Sequence, residues 1–207
     1  MYLNKDVFLD TETARSLYHE VAADLPVIDF HTHLNQQEIL DDHRFSDLWE
    51  LWLKHDHYKW RLMRACGVEE KFITGDASPW EKFEAFASVM PMAVGNPGHH
   101  WAHLELQRVF GIHTVLSADT ATKIWENANQ QLAEDCSLSA RGLLGKFHVR
   151  LVCTTDDPAA DLSVHKQLRT ENTVVTLPTF RPDLAMAVDR PETFSKWILK
   201  LQNRTGR

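Results

Sequence analysis

Several things are scarce in this chain, and each scarcity closes a door. Cysteine occurs three times, as Cys66, Cys136 and Cys153, widely separated. No CxxC pair exists and no disulfide framework can be built from them, which points to a reducing cytosol. No apolar stretch is long enough to span a bilayer, and Met1-Tyr2-Leu3-Asn4-Lys5-Asp6 lacks the apolar core of a secretory signal. Positive charge is in deficit. Lys and Arg number 22 against 29 Asp and Glu, a net charge of −7, which argues against a nucleic-acid backbone as partner. There is no GxSxG elbow, no Walker loop and no GxGxxG, so serine nucleophile chemistry and nucleotide binding have no support. Internal repeats and low-complexity segments are also lacking.

What remains is an ordinary globular composition, with 43% hydrophobic and 25% charged residues over 207 positions. Asp10-Thr11 caps a first helical stretch whose stripe is Ala14, Leu17, Tyr18 and Val21. A strand follows over Pro26–Phe30. From about Leu34 to Lys146 the spacing is helical and rich in Trp, Leu, Phe and Ala. Helices are predicted at Pro79–Val89, Trp101–Phe110 and Ala118–Asp135, with breaks at Gly75-Asp76 and Gly95-Asn96-Pro97-Gly98. Strand character returns at His148–Thr154. Asp156-Asp157-Pro158 reads as a cap with proline at the first helical position, and a helix to about Leu168. Thr173–Pro178 is a third strand, and Pro191-Glu192 opens a last helix, Phe194 to Leu201.

Strand–helix alternation implies right-handed βαβ units and a parallel sheet. The expectation is an α/β fold, a partial (β/α)8 TIM-barrel-like arrangement. Residues 1–33 hold the first helix and strand, 34–147 a large helical insertion, and 148–207 two further βα units. Three strands do not close a barrel. The closing Asn203-Arg204-Thr205-Gly206-Arg207 shows no obvious terminal structure, so the chain is expected to be the N-terminal portion of a longer protein with apolar surface left uncovered.

The chemistry concentrates at strand ends. In Val27-Ile28-Asp29-Phe30-His31-Thr32-His33-Leu34, strand alternation throws His31 and His33 to one side. Two imidazoles there can hold one divalent metal ion, and zinc is a common choice. An apolar run on both faces predicts a buried strand. Arg181, after the third strand, can clamp a carboxylate with two parallel hydrogen bonds, or make a surface ion pair. Lys54-His55-Asp56-His57-Tyr58-Lys59-Trp60-Arg61 is dense in proton-carrying groups, although alone it reads as a solvated helix face. His99 and His103 have the i, i+4 spacing of a helical metal pair, but His100 stands where HExxH carries Glu, so packing is the better reading. For Asp156 and Asp157 helix capping is favoured.

Taken together, Pro26–Leu34, His57–Arg61, Cys153-Thr154-Thr155-Asp156-Asp157-Pro158 and Leu177-Pro178-Thr179-Phe180-Arg181-Pro182-Asp183 resemble the N-terminal part of the uronate (glucuronate) isomerases of the amidohydrolase superfamily. The resemblance implies a distorted TIM barrel with a helical insertion after strand one. It implies aldose–ketose isomerisation of D-glucuronate and D-galacturonate, small sugar acids as partners, and a homo-oligomer in the cytoplasm. His31 and His33 would bind one divalent metal, with a third ligand from an eighth-strand aspartate beyond these residues. His57 and Tyr58 would meet the substrate, Tyr58 as proton shuttle, and Arg181 would bind it. A metal-dependent hydrolase of the same superfamily, or an inactive fragment or binding module, are the alternatives.

Overall fold

The computed structural model describes residues 3–171 and 174–206. In chain order the elements are α1 (Glu12–Leu17), β1 (Val27–Thr32), α2 (Gln36–Leu40), α3 (Leu48–Trp52), α4 (His57–Ala65), α5 (Pro79–Val89), α6 (Pro97–Phe110), α7 (Ala118–Glu134), α8 (Ala140–Lys146), β2 (Val149–Asp156), α9 (Ser163–Glu171), β3 (Val175–Phe180) and α10 (Pro191–Thr205). They separate into two compact units. One is helical and comprises Met1–Ala23 with Arg44–Leu138; the other carries the sheet and comprises Asp24–His43 with Ser139–Arg207. Among the described residues no helix is long and apolar enough to cross a membrane.

The helical unit follows its capping chemistry. Thr11 Oγ1 accepts from Ala14 N–H at 3.1 Å and opens α1. The chain then widens into one π-helical turn, Tyr18–Ala22. The predicted stripe does not become a buried face here: Leu17 and Val21 are exposed. α5 begins with Pro79 inside a reciprocal box, in which Ser78 N–H donates to Glu81 at 2.8 Å and Glu81 N–H to Ser78 Oγ. α6 ends at Gly111 with φ 65, a left-handed stop that suits glycine. The core is aromatic. Trp52 lies 6.3 Å from Phe86, and Phe83 lies 5.1 Å from Trp125, ring centre to ring centre. Phe83, Phe86, Leu48 and Leu106 are fully buried around them. Lys82 enters this core without loss, because its ammonium donates to Gly75 O at 2.6 Å and lies over the Trp49 ring.

The sheet unit is a three-stranded parallel sheet in the order β1-β2-β3. β2 and β3 run in unbroken register from Leu151↔Val175 to Asp156↔Phe180, whereas the β1–β2 ladder is interrupted twice. Along β2, Val152, Thr154 and Asp156 are buried on one face. Val152 packs with Ile39, Leu144, Leu168 and Val174 in a small core. Arg141 ties its helix back to α2 through Ile39 O and Leu40 O, and to Glu171 at 2.6 Å.

Four expectations are corrected. β1 is not a buried strand: Val27, Ile28 and Phe30 are exposed, Phe30 at 79%. An apolar sequence had implied cover on both faces, but the described residues cover little of β1. The helix after β2 starts at Ser163, not at Pro158. Asp157 instead closes a turn, its Oδ1 accepting from Ala159 N–H at 2.7 Å, while Asp161 accepts from Ser163 N–H at 2.9 Å. Asp156 is no cap at all; it is the last residue of β2. The tail from Asn203 is helical as far as Thr205. Of the predicted third strand, Thr173 lies outside the described residues and the strand begins at Val175.

Candidate active site at the carboxyl end of the sheet

Parallel strands end together, so their carboxyl ends gather side chains from distant parts of the sequence. Here His33, Thr155, Asp156, Asp157, Arg181 and Asp183 line one open cleft of about 260 Å³. Its polar character comes from one cation, three carboxylates and an imidazole. Sequence reasoning anticipated His33 and Arg181 as members; the backbone N–H of Arg181 donates to Asp156 O at 3.1 Å and fixes the loop after β3 against the end of β2. The Arg181 guanidinium is half-exposed and is met by Asp183, Nε to Oδ2, at 3.1 Å. The charge-assisted bond to Arg181 holds the Asp183 carboxyl below the usual carboxylate value.

His31 and His33 do share one side. Their ring centres are 5.3 Å apart and the planes cross at 76°. His31 lies within β1 and His33 just beyond it, and both are exposed. Two nitrogen donors so placed suit a divalent ion. Among the described residues no group of three His, Cys, Asp or Glu side chains gathers to complete a metal site. The pair therefore fits a metal as part of a donor set that needs at least one more protein ligand.

The two neighbouring aspartates have different fates. Asp157 is occupied: Trp197 Nε1–H donates to its two oxygens at 3.0 and 2.9 Å. Asp156 is buried and accepts from the Thr154 hydroxyl at 2.7 Å. Thr154 in turn lies 2.8 Å from His165 Nε2 on α9. Thr154, His165 and Trp197 were not anticipated. The i, i+2 spacing of Thr154 and Asp156 on a strand was a usable signal; the helix-borne partners had none.

His57 and Tyr58 belong to the helical unit. Asp56 caps α4, accepting from Tyr58 N–H at 2.9 Å and Lys59 N–H at 3.1 Å. The His57 and Tyr58 rings stack at 4.3 Å, with Tyr58 exposed. Lys59 is buried, bound to Asp56 at 3.2 Å and set over the Trp52 ring. The His99/His103 pair is structural, as expected. Leu116 N–H donates to His103 Nε2 at 2.9 Å, so His103 Nδ1–H is the donor to His99 O. Burial lowers the His103 pKa and keeps that ring neutral.

The glucuronate isomerase family model matches residues 1–207, the entire chain. The uronate isomerase of Caldanaerobacter subterraneus subsp. tengcongensis is 48% identical over 207 residues, covering 99% of this chain and 44% of that relative. That of Edwardsiella ictaluri is 49% identical over 203 residues, 97% of this chain and 43% of the relative. The crystal structure of uronate isomerase from Thermotoga maritima superposes with a TM-score of 0.92 at 42% identity, covering 100% of this chain and 45% of the other. Glucuronate isomerase from Caulobacter crescentus gives a TM-score of 0.88 at 25% identity. The chain thus spans less than half the length of the curated relatives it matches.

Proposed function

Because the chain belongs to the glucuronate isomerase family, we propose that its sheet unit provides the metal-holding and carboxylate-holding part of a hexuronate isomerase, interconverting D-glucuronate with D-fructuronate and D-galacturonate with D-tagaturonate. The observation that carries this reading is the single cleft shared by His33 and Arg181 at the carboxyl ends of β1 and β3. The sheet fits the opening strands of a (β/α)8 barrel. Its order is sequential and parallel, and its outer strands expose Val27, Ile28, Phe30, Val175 and Phe180, as strands awaiting further cover would.

The chemistry moves one proton from carbon to carbon and another between oxygens. Arg181 holds the substrate carboxylate with a planar, always-charged fork, which fixes the sugar's carbon chain relative to the strand ends. His31 and His33 would hold one divalent metal, zinc by donor type, whose Lewis acidity polarises the sugar's carbonyl or hydroxyl oxygen when bound. Tyr58 is assigned the proton shuttle between oxygens and His57 the orientation of the sugar; for these two the support is the motif His57–Arg61. A free tyrosine titrates near pH 10, so Tyr58 needs a neighbouring cation to act as a base. The only partner in this reading is a small sugar acid, with self-association into a homo-oligomer. A cytoplasmic setting fits the three free cysteines.

The test is calorimetric. The 207-residue chain is titrated with Zn2+ and then with D-glucuronate, alongside Arg181→Ala. D-glucuronate binds the parent and binds Arg181→Ala at least about tenfold more weakly. Equal binding by both removes Arg181 from the site and the isomerase reading with it. The hydrolase reading gains instead if a hydrolysis product, and no ketose, accumulates from candidate substrates.

A further inference from the structure

Behind the cleft lies a buried chain of three polar side chains that the isomerase reading does not use. Thr154 is 1% exposed, His165 2% and Asp156 8%. With Asp156 ionised and the shorter of the Thr154 hydroxyl's contacts made, their protons fall in one order. A carboxylate only accepts, so Thr154 spends its single hydroxyl proton on Asp156 Oδ2. The 2.8 Å contact between Thr154 and His165 must then be His165 Nε2–H donating to Thr154 Oγ1. His165 Nδ1 is buried and has no partner. A proton there would be an unsatisfied buried donor, so Nδ1 carries the lone pair and the ring is neutral. The relay runs one way, from His165 through Thr154 to Asp156, and every hydrogen in it points toward the carboxylate. Thr154 is braced further by Thr179 Oγ1–H, which donates to Thr154 O at 2.7 Å.

This arrangement fixes one oxygen of Asp156 and leaves the other. Oδ1 makes no hydrogen bond with the described residues, yet it is not among the buried polar atoms lacking a partner. Asp156 is one of the residues lining the cleft shared with His33 and Arg181, so Oδ1 is its oxygen available to a ligand there. Asp157 cannot take this role, since Trp197 and the Ala159 N–H occupy it. A rigid carboxylate with one free oxygen, in the same cleft as a guanidinium, is complementary to a ligand that carries a carboxylate at one end and hydroxyls elsewhere.

Resting on the isomerase reading, we propose that Asp156 is a substrate-binding residue that accepts a hydrogen bond from a hydroxyl of the sugar acid, and that Thr154 and His165 are its positioning residues. Arg181 then recognises the acid and Asp156 the sugar. Selection for a polyhydroxy acid over a plain carboxylic acid resides in Asp156.

The experiment compares D-glucuronate with cyclohexanecarboxylate, a ring acid without hydroxyls, by calorimetry on the 207-residue chain. The parent prefers D-glucuronate. Asp156→Asn and the isosteric Thr154→Val weaken D-glucuronate by about tenfold, the worth of one charge-assisted hydrogen bond, and leave cyclohexanecarboxylate unchanged. Thr154→Ser, which keeps the hydroxyl, binds as the parent does. Nitrogen-15 spectra of the parent show His165 protonated at Nε2. Folded variants that lose affinity for both acids equally, or for neither, overturn the proposal while the isomerase reading stands. So does a His165 ring protonated at Nδ1. A parent that binds cyclohexanecarboxylate but not D-glucuronate overturns both. Should Thr154→Val not fold, Asp156→Asn, which keeps shape and volume, decides alone.

Discussion

The indole N–H of Trp197 points between the two carboxylate oxygens of Asp157, 3.0 and 2.9 Å away. One donor from the last helix thereby holds the turn that follows β2, across 40 residues of sequence. Trp197 is buried, so its indole N–H has nowhere else to go. Trp197→Phe keeps most of the apolar volume and removes the donor. The expected loss is about 1–2 kcal/mol, read as a lower urea midpoint at constant slope. An unchanged midpoint would mean that water replaces the indole without penalty.

The aromatic core of the helical unit sets a larger effect. Phe83 is fully buried between Trp52, Trp80 and Trp125. Phe83→Ala leaves a cavity that rigid rings fill poorly, and about 3–5 kcal/mol of stability is lost. Denaturant unfolding followed by tryptophan fluorescence measures it; a loss below about 1 kcal/mol would show that the ring cluster collapses into the gap.

Acid acts through Glu50. Burial pushes its carboxyl up, but the Ser46 N–H at 2.8 Å, the Lys54 ammonium at 3.0 Å and the Ser46 hydroxyl outweigh it and bring the pKa from 4.5 to about 2. A folded-state pKa below the unfolded one stabilises fully above pH 4.5, and the contribution fades as pH falls from there toward 2. Glu50→Gln should therefore cost about 1–2 kcal/mol at pH 7, allowing for solvent screening, and less at pH 3. Urea midpoints at the two pH values give the comparison. A gap of equal size at both would assign the loss to shape rather than charge.

Replacing both His31 and His33 with Ala should abolish Zn2+ uptake, measured as metal per chain after dialysis. The exposed rings contribute little to folding, so the circular dichroism spectrum should be unchanged. Full retention of zinc would place the metal on other ligands.

Tyr58→Phe separates catalysis from binding. In preparations that turn over D-glucuronate, kcat should fall far more than KM rises, because the ring and its stack on His57 remain while the proton is gone. A parallel change in binding and turnover would reduce Tyr58 to a contact residue.

Helices with strong local punctuation were legible in advance. The helical spacing from Pro79 announced α5, and its span matched the prediction at both ends. The parallel arrangement of β1, β2 and β3 followed from their apolar runs and the helices between them. His31 and His33 were legible because strand alternation is local geometry, and His33 with Arg181 because strand ends gather in a parallel sheet. The two aspartates were not. Asp-Asp-Pro has the composition of a helix start, and nothing local distinguishes a cap from a strand residue that finds its partner across the fold.

The amino-acid order by itself determined which segments become strands, which way their side chains alternate, and where a helix such as α5 begins, since each depends on neighbours within a few residues. Tertiary structure alone decided which side chains meet. It gave Asp157 to Trp197, Asp156 to Thr154 and His165, and His103 to the Leu116 amide, and it left Phe30 in the open. Those outcomes depend on distant segments arriving together, and a single polar group costs or stabilises according to the partner it finds there.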